Sequence, residues 1–341
     1  MSRRDMAFDR TVSGELMDLL TTGAAGQLLE VVRQQDPDAP LLDVQLRRDP
    51  KGSNPRSWAT LYYGMTALLN IEERRGQFRL TAHARYRAAE AFDDGWCRWQ
   101  RREQIEAVWP EVEVYLDEVR ELVAASHLGK EGPVHAAISS GASDPFGVIN
   151  REARPSFHDT PTRDRRLDGW VAPFNRRLAA RTDAPGWWPN DVRVGSSLDF
   201  LAVDIGGRLA LVEAKSHRAQ AGELAKVAVQ AGVYAAMFAD LLHEQPETHD
   251  AIERMLAQRT ALGLSRPGVL HLRDKGQVVP VVAIGPERPS DEVQRRMWEV
   301  AQEVANEPSE RVDPLEVWYL DETGRIREVE RAADIQARRR R

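Results

Sequence analysis

The chain carries a single cysteine, Cys97, so no internal disulfide can form and a reducing compartment is expected. Its eight histidines are scattered, with no pair at ligand spacing, which argues against a structural zinc site. No stretch approaches the ~20 consecutive apolar residues of a membrane span. The opening Met1-Ser2-Arg3-Arg4-Asp5 leads into no apolar signal core. Together these predict a cytoplasmic protein with no membrane partner. A Walker-type Gly-Lys-Ser/Thr loop is also lacking, so an intrinsic ATPase motor is not expected. Lysine is scarce: of 47 basic residues only Lys51, Lys130, Lys215, Lys226 and Lys275 are not arginine.

What is present fits a globular protein. At 341 residues the chain is long enough for two ordinary domains, and 42% hydrophobic with 29% charged residues are usual values. The net charge of −6 argues against a protein coated in positive charge, but a local groove can still be basic. Arginines cluster at Arg163, Arg165 and Arg166, at Arg176, Arg177 and Arg181, and at Arg338 to Arg341. The plainest meaning of each cluster is a solvated face or a frayed tail.

Apolar spacing predicts a helix over 13–35, where Gly23 and Gly26 allow a break, ended by the Asp36–Pro40 run. Strands are expected at 41–46 and 58–63 around a Pro50–Pro55 loop, and a hairpin at 68–73 and 77–81. A polar helix over about 99–125 carries Pro110. A second hairpin is expected from 135–139 and 146–150 across Ser140–Pro145. This first half, 1–158, reads as a mixed α/β accessory domain for target or partner recognition.

From about 160 a helix presents Leu167, Trp170, Phe174 and Leu178, with Gly169 and Pro173 set to kink it or delay its start. Strands at 197–204 and 208–215 flank Gly206-Gly207. A helix over 219–243 buries Leu224, Val227, Ala231, Tyr234, Phe238 and Leu241. A strand at 278–284, a helix at 291–304 and a strand at 315–320 complete a sheet with helices on its faces, in a domain over 159–335. A basic tail, 336–341, follows.

Chemistry concentrates at Glu213-Ala214-Lys215, which closes the apolar run Leu209 to Val212. Alternation puts Leu209, Leu211, Glu213 and Lys215 on one face. If Gly206-Gly207 alone forms the loop, Asp199 opposes Ala214 and points away from Glu213. If Ile205-Gly206-Gly207 forms it, Asp204 pairs with Arg208 and Asp199 sits opposite Glu213; such loops need positive φ, which glycine supplies. Opposed Cβ atoms lie ~4.5–5.5 Å apart, so both carboxylates would reach one Mg²⁺ or Mn²⁺ at ~2.1 Å. Lys215 would orient the attacking water or neutralise phosphate charge. The tripeptide pattern is weak alone, because Asp49-Pro50-Lys51 matches it in a loop.

Asp199, thirteen further residues, Glu213-Ala214-Lys215 and a helix bearing Gln230-Ala231-Gly232-Val233-Tyr234 resemble the PD-(D/E)xK nuclease superfamily, with the Gln-x-x-x-Tyr element of its RecB-like branch. The resemblance covers roughly 160–320. It implies a restriction-endonuclease-like mixed sheet flanked by helices and an Mg²⁺- or Mn²⁺-dependent endonuclease acting on DNA in preference to RNA. Asp199 and Glu213 would be metal ligands, Lys215 the catalytic lysine, and Gln230 and Tyr234 would border the site. Many members add an acid, often glutamate, from the helix before the strands. Here no glutamate lies between Glu152 and Glu213, so Asp164 or Asp168 would take that place. Restriction or phage defence is the setting the family suggests, with a homodimer or a defence-system partner. The alternatives are an RNA-cleaving nuclease of the same fold and a catalytically silent nuclease fold that binds nucleic acid or protein.

Overall fold

Two compact units emerge in the computed structural model, and neither follows a single cut in the chain. One comprises Asp9–Ala142 with Arg254–Gly268, the other Met1–Phe8, Ser143–Glu253 and Val269–Arg341. The structure describes residues 5–34, 42–49, 55–126, 131–139, 146–195, 197–265, 271–273, 277–305 and 310–331. The Asp36–Pro40 helix stop, most of the Pro50–Pro55 loop, the Ser140–Pro145 turn and the basic tail lie outside the described residues.

After strand β1 (Met6–Ala7), the helix expected over 13–35 is broken into α1 (Gly14–Thr22) and α2 (Gly26–Gln34). The Ser13 side chain caps α1 by accepting the Leu16 N–H, and the Gly23 N–H closes its far end on the Leu19 carbonyl. Strands β2 (Leu42–Asp49), β3 (Arg56–Tyr63), β4 (Thr66–Arg74) and β5 (Gln77–Thr81) form an antiparallel meander. The last hairpin turns through Arg75 and Gly76 alone, with φ of 55° and 72°, the positive pair a two-residue turn requires. Helix α3 (Arg102–Ala107) stops at Val108 and α4 (Trp109–Ser126) restarts there. Pro110 thereby falls in a first turn, where its missing N–H removes no helical bond.

The strand expected at 135–139 is instead helix α5 (Gly132–Ser139). Every residue from Val134 to Ser139 is buried. An apolar run this short carries no period that separates a buried helix from a strand. Its expected partner, β6 (Phe146–Ala153), pairs with a later strand in the unit that holds Ser143–Glu253.

In the second unit β7 (Ser156–Phe157) pairs with β1. Helix α6 (Thr160–Ala180) starts on the Asp159 cap and runs through Gly169 and Pro173, so its start is not delayed. Strands β8 (Leu198–Asp204) and β9 (Leu209–Ser216), helices α7 (Ala221–Glu244) and α8 (Glu247–Ala261), strand β10 (Val278–Gly285), helix α9 (Asp291–Val300), and strands β11 (Glu316–Leu320) and β12 (Ile326–Arg331) follow. The six-stranded sheet has the order β12-β11-β10-β9-β8-β6, parallel over β9-β10-β11 and antiparallel elsewhere. The protein is therefore mixed α/β. Strands β1, β7 and β12 and helix α8 stand beyond the expected elements.

Helices α7 and α9 cover one face of this sheet. Leu224, Val227 and Ala231 of α7 and Met297 and Trp298 of α9 pack with Val282, Ile284, Val317 and Tyr319 of β10 and β11. Helix α7 meets the length and hydropathy of a membrane span, yet 78% of its apolar window is buried inside the protein, as in a core helix.

Candidate active site

The β8–β9 hairpin turns through Ile205-Gly206-Gly207, the longer of the two loops open to the sequence. The Asp204 N–H donates to the Arg208 carbonyl at 3.1 Å, and Gly207 has φ of 77°. A Cβ at Gly207 would stand 2.6 Å from the His271 carbonyl oxygen, so both conformation and space select glycine. The resulting register pairs Val203 with Leu209 and Phe200 with Val212. Asp199 thus falls opposite Glu213.

The ladder ends at the Phe200–Val212 pair, and the two carboxylates take over from it. The Asp199 N–H donates to Glu213 Oε1 at 3.3 Å, and the Ala214 N–H donates to Asp199 Oδ2 at 3.0 Å. Strand β9 continues beside β10, pairing Glu213 with Val282 and Lys215 with Ile284. In-register neighbours of a parallel pair project to the same side. Since Val282 and Ile284 pack under α7, Glu213 and Lys215 point to the face that α7 covers.

Burial sets the electrostatics. Glu213 is only 7% exposed. Desolvation first, and the Asp199 charge second, push its carboxyl well above the usual carboxylate range, against the Asp199 N–H and the half-buried Lys215 ammonium. Two facing carboxylates in a dry setting disfavour double ionisation, and a divalent cation between them would remove that penalty. The donor set fits such an ion: two hard carboxylate oxygens, as Mg²⁺ or Mn²⁺ prefer, with a lysine beside them.

Tyr234 lies close enough to this pair to feel both charges, and both it and Gln230 grip backbone. Gln230 Nε2 donates to the Arg193 carbonyl at 3.1 Å. The Tyr234 hydroxyl lies 2.8 Å from the Ser197 carbonyl oxygen and 3.2 Å from that of Gly195. Burial, then the Glu213 and Asp199 charges, raise the phenol pKa, so the hydroxyl stays a proton donor. These side chains fasten to α7 the segment that leads into Asp199.

Asp164 and Asp168 are exposed on α6, and Asp164 pairs with its neighbour Arg163 at 2.8 Å. Among the described residues no group of three or more His, Cys, Asp or Glu side chains is placed to hold an ion. The acid that does shape α6 is Asp159, drawn down to about 2 by the Thr162 N–H it accepts as the cap.

The structure adds His217, absent from the sequence reading. It is half-buried two residues beyond Lys215, with Nδ1 3.3 Å from the Gly285 carbonyl oxygen and Nε2 3.6 Å from Glu287. Its one signal in the sequence is its place directly after the strand end. No family model, curated protein or solved structure matches the chain.

Proposed function

We propose that the chain is a Mg²⁺- or Mn²⁺-dependent nuclease that hydrolyses DNA phosphodiester bonds. In this reading the second unit is a restriction-endonuclease-like domain of the PD-(D/E)xK kind, and the first recognises the target or a partner. The observation that carries it is the Asp199–Glu213 register at the end of a ladder, with Lys215 on the same face.

Asp199 and Glu213 would hold the ion through one carboxylate from each strand. When bound, it would polarise a phosphoryl oxygen and lower the pKa of a coordinated water. Lys215 supplies an ammonium at the same edge, able to orient the attacking water or offset charge that builds on the phosphate in the transition state. Tyr234 and Gln230 hold the 193–197 segment, and through it Asp199, and so act as positioning residues. An endonuclease working in restriction or phage defence is the setting this assignment favours.

A second reading has its own support. Asp164 and Asp168 lie exposed on α6, Asp164 paired with Arg163, an arrangement in keeping with a catalytically silent nuclease fold that binds nucleic acid or protein. One assay separates the two. Purified protein is incubated with plasmid, linear duplex and single-stranded DNA and with RNA, in Mg²⁺, Mn²⁺ or EDTA, beside Lys215→Ala. DNA cutting that needs metal and disappears in Lys215→Ala is the expected result. Cutting of RNA alone would transfer the assignment to a ribonuclease, and binding without cutting to the silent module. Metal-dependent cutting that persists in Lys215→Ala would remove the lysine from the mechanism.

A further inference from the structure

Beside the start of α7 lies an open groove of about 800 Å³, within the ~300–1,000 Å³ of small-molecule sites. One wall is the 186–191 segment with Trp187 and Asn190; the other is the Gln220–Lys226 stretch, with Arg296 of α9 beside them. We infer that this groove holds an unpaired nucleotide of the strand being cut, an inference that rests on the nuclease reading above.

The ring of Trp187 is half-buried and already fixed, because the Arg296 guanidinium carbon sits 5.2 Å from its centroid. A pre-positioned indole at the wall of a groove is a stacking platform for a flat heterocycle, and a base inside a duplex has both faces engaged already. The charges of the groove point the same way. Arg296 is tied to Glu292 at 2.6 Å and Asp191 to Arg193 at 3.6 Å. Exposed Glu223 and Lys226 balance one another, and among the described residues Lys226 makes no ion pair. A groove without net charge does not select a bare phosphate. It selects a group with an aromatic face, for which Asn190 offers amide hydrogen bonds and Lys226 one contact to the phosphate.

Both walls lead into the candidate site. The helix wall follows from Lys215 and Ser216 through a turn closed by the Ala219 N–H on the Ser216 carbonyl. The loop wall runs on through Arg193, Gly195 and Ser197, whose carbonyls Gln230 and Tyr234 hold, and ends on Asp199. A strand with its scissile phosphate at Asp199 and Glu213 would therefore carry a neighbouring base into the groove.

The test is fluorescence anisotropy of full-length Lys215→Ala protein in Mg²⁺, titrated with a labelled single-stranded DNA and with the same sequence as a duplex. Single strands should bind more tightly. Adding Trp187→Ala should weaken them by roughly 5- to 100-fold and leave the duplex unchanged, while Trp187→Phe keeps most of the affinity. Lys226→Ala, at an exposed position where folding is not at stake, should reduce the salt slope for single strands by about 0.7. Equal affinity for both DNAs, or single-strand binding indifferent to Trp187→Ala and Lys226→Ala alike, would overturn the inference. Should wild-type protein still cut in Mg²⁺ in that event, the nuclease reading stands alone. Trp187-dependent single-strand binding by a wild-type protein that never cuts would retain the groove and remove the nuclease.

Discussion

The two ends of the β8–β9 hairpin treat buried acid in opposite ways. At the turn end Arg208 gathers three carboxylates: Asp204 at 2.6 Å, Glu316 at 3.0 Å and Asp313 at 3.1 Å. Burial works against the guanidinium, but Glu316 and Asp204 outweigh it and hold its pKa above the ordinary value. Glu316 is likewise kept below the usual carboxylate range; burial would raise it, and Arg331, Trp318 and Arg208 together prevail. At the open end Glu213 meets the like charge of Asp199, and there burial wins. One hairpin thus carries a neutralised structural network and, a few rungs away, a pair left under electrostatic tension. A like-charged pair of this kind lowers stability and is retained where a ligand charge completes it.

Substitutions can break this contrast from either side. The largest expected effect belongs to Lys215→Ala: metal-dependent cutting of plasmid falls by roughly 10²–10³-fold or more, while circular dichroism reports an unchanged fold. Next is Arg208→Ala, which leaves three carboxylates facing one another; urea titration should show a loss of about 2–4 kcal/mol with no specific role in metal binding. Glu213→Gln should do the reverse of Arg208→Ala, raising stability without metal by on the order of 1 kcal/mol. Its sign follows from the raised pKa. Folding favours the protonated Glu213 carboxyl, so wild-type stability is fullest below the ordinary carboxylate range and declines as pH climbs toward the raised value. The advantage of Glu213→Gln should accordingly grow as pH rises above the ordinary carboxylate range. The smallest effect is that of Tyr234→Phe. Losing the hydroxyl on the Ser197 carbonyl should cost about 0.5–1.5 kcal/mol of stability and lower cutting by less than about tenfold.

Much of this site was legible because its geometry depends on local rules. A period of two fixed the faces of β9, and glycine at the turn admitted the positive φ that brings Asp199 opposite Glu213. The stripe Leu224, Val227, Ala231 and Tyr234 announced the helix that covers them. Other features depend on distant partners and left no such trace. Residues 135–139 are apolar whether helical or extended, and the partner of β6 is a strand far along the chain. Strand β12 alternates weakly in burial from Ile326 to Arg331, so its period was faint. The fully buried Arg259 bonds the Val44 carbonyl at 2.8 Å and lies 3.6 Å from Asp43, placing the end of α8 in the first unit, which spacing alone does not reveal. The hold of Gln230 and Tyr234 on the Arg193, Gly195 and Ser197 carbonyls emerges only in three dimensions.

Calorimetric titration of Mn²⁺ into the wild-type protein, Asp199→Asn and Glu213→Gln tests the central claim most directly. A single saturable site in the wild type, lost in both variants while each stays folded, is the predicted result. No binding in the wild type, or binding that survives loss of either carboxylate, would contradict the assignment of Asp199 and Glu213 as the pair that holds the metal.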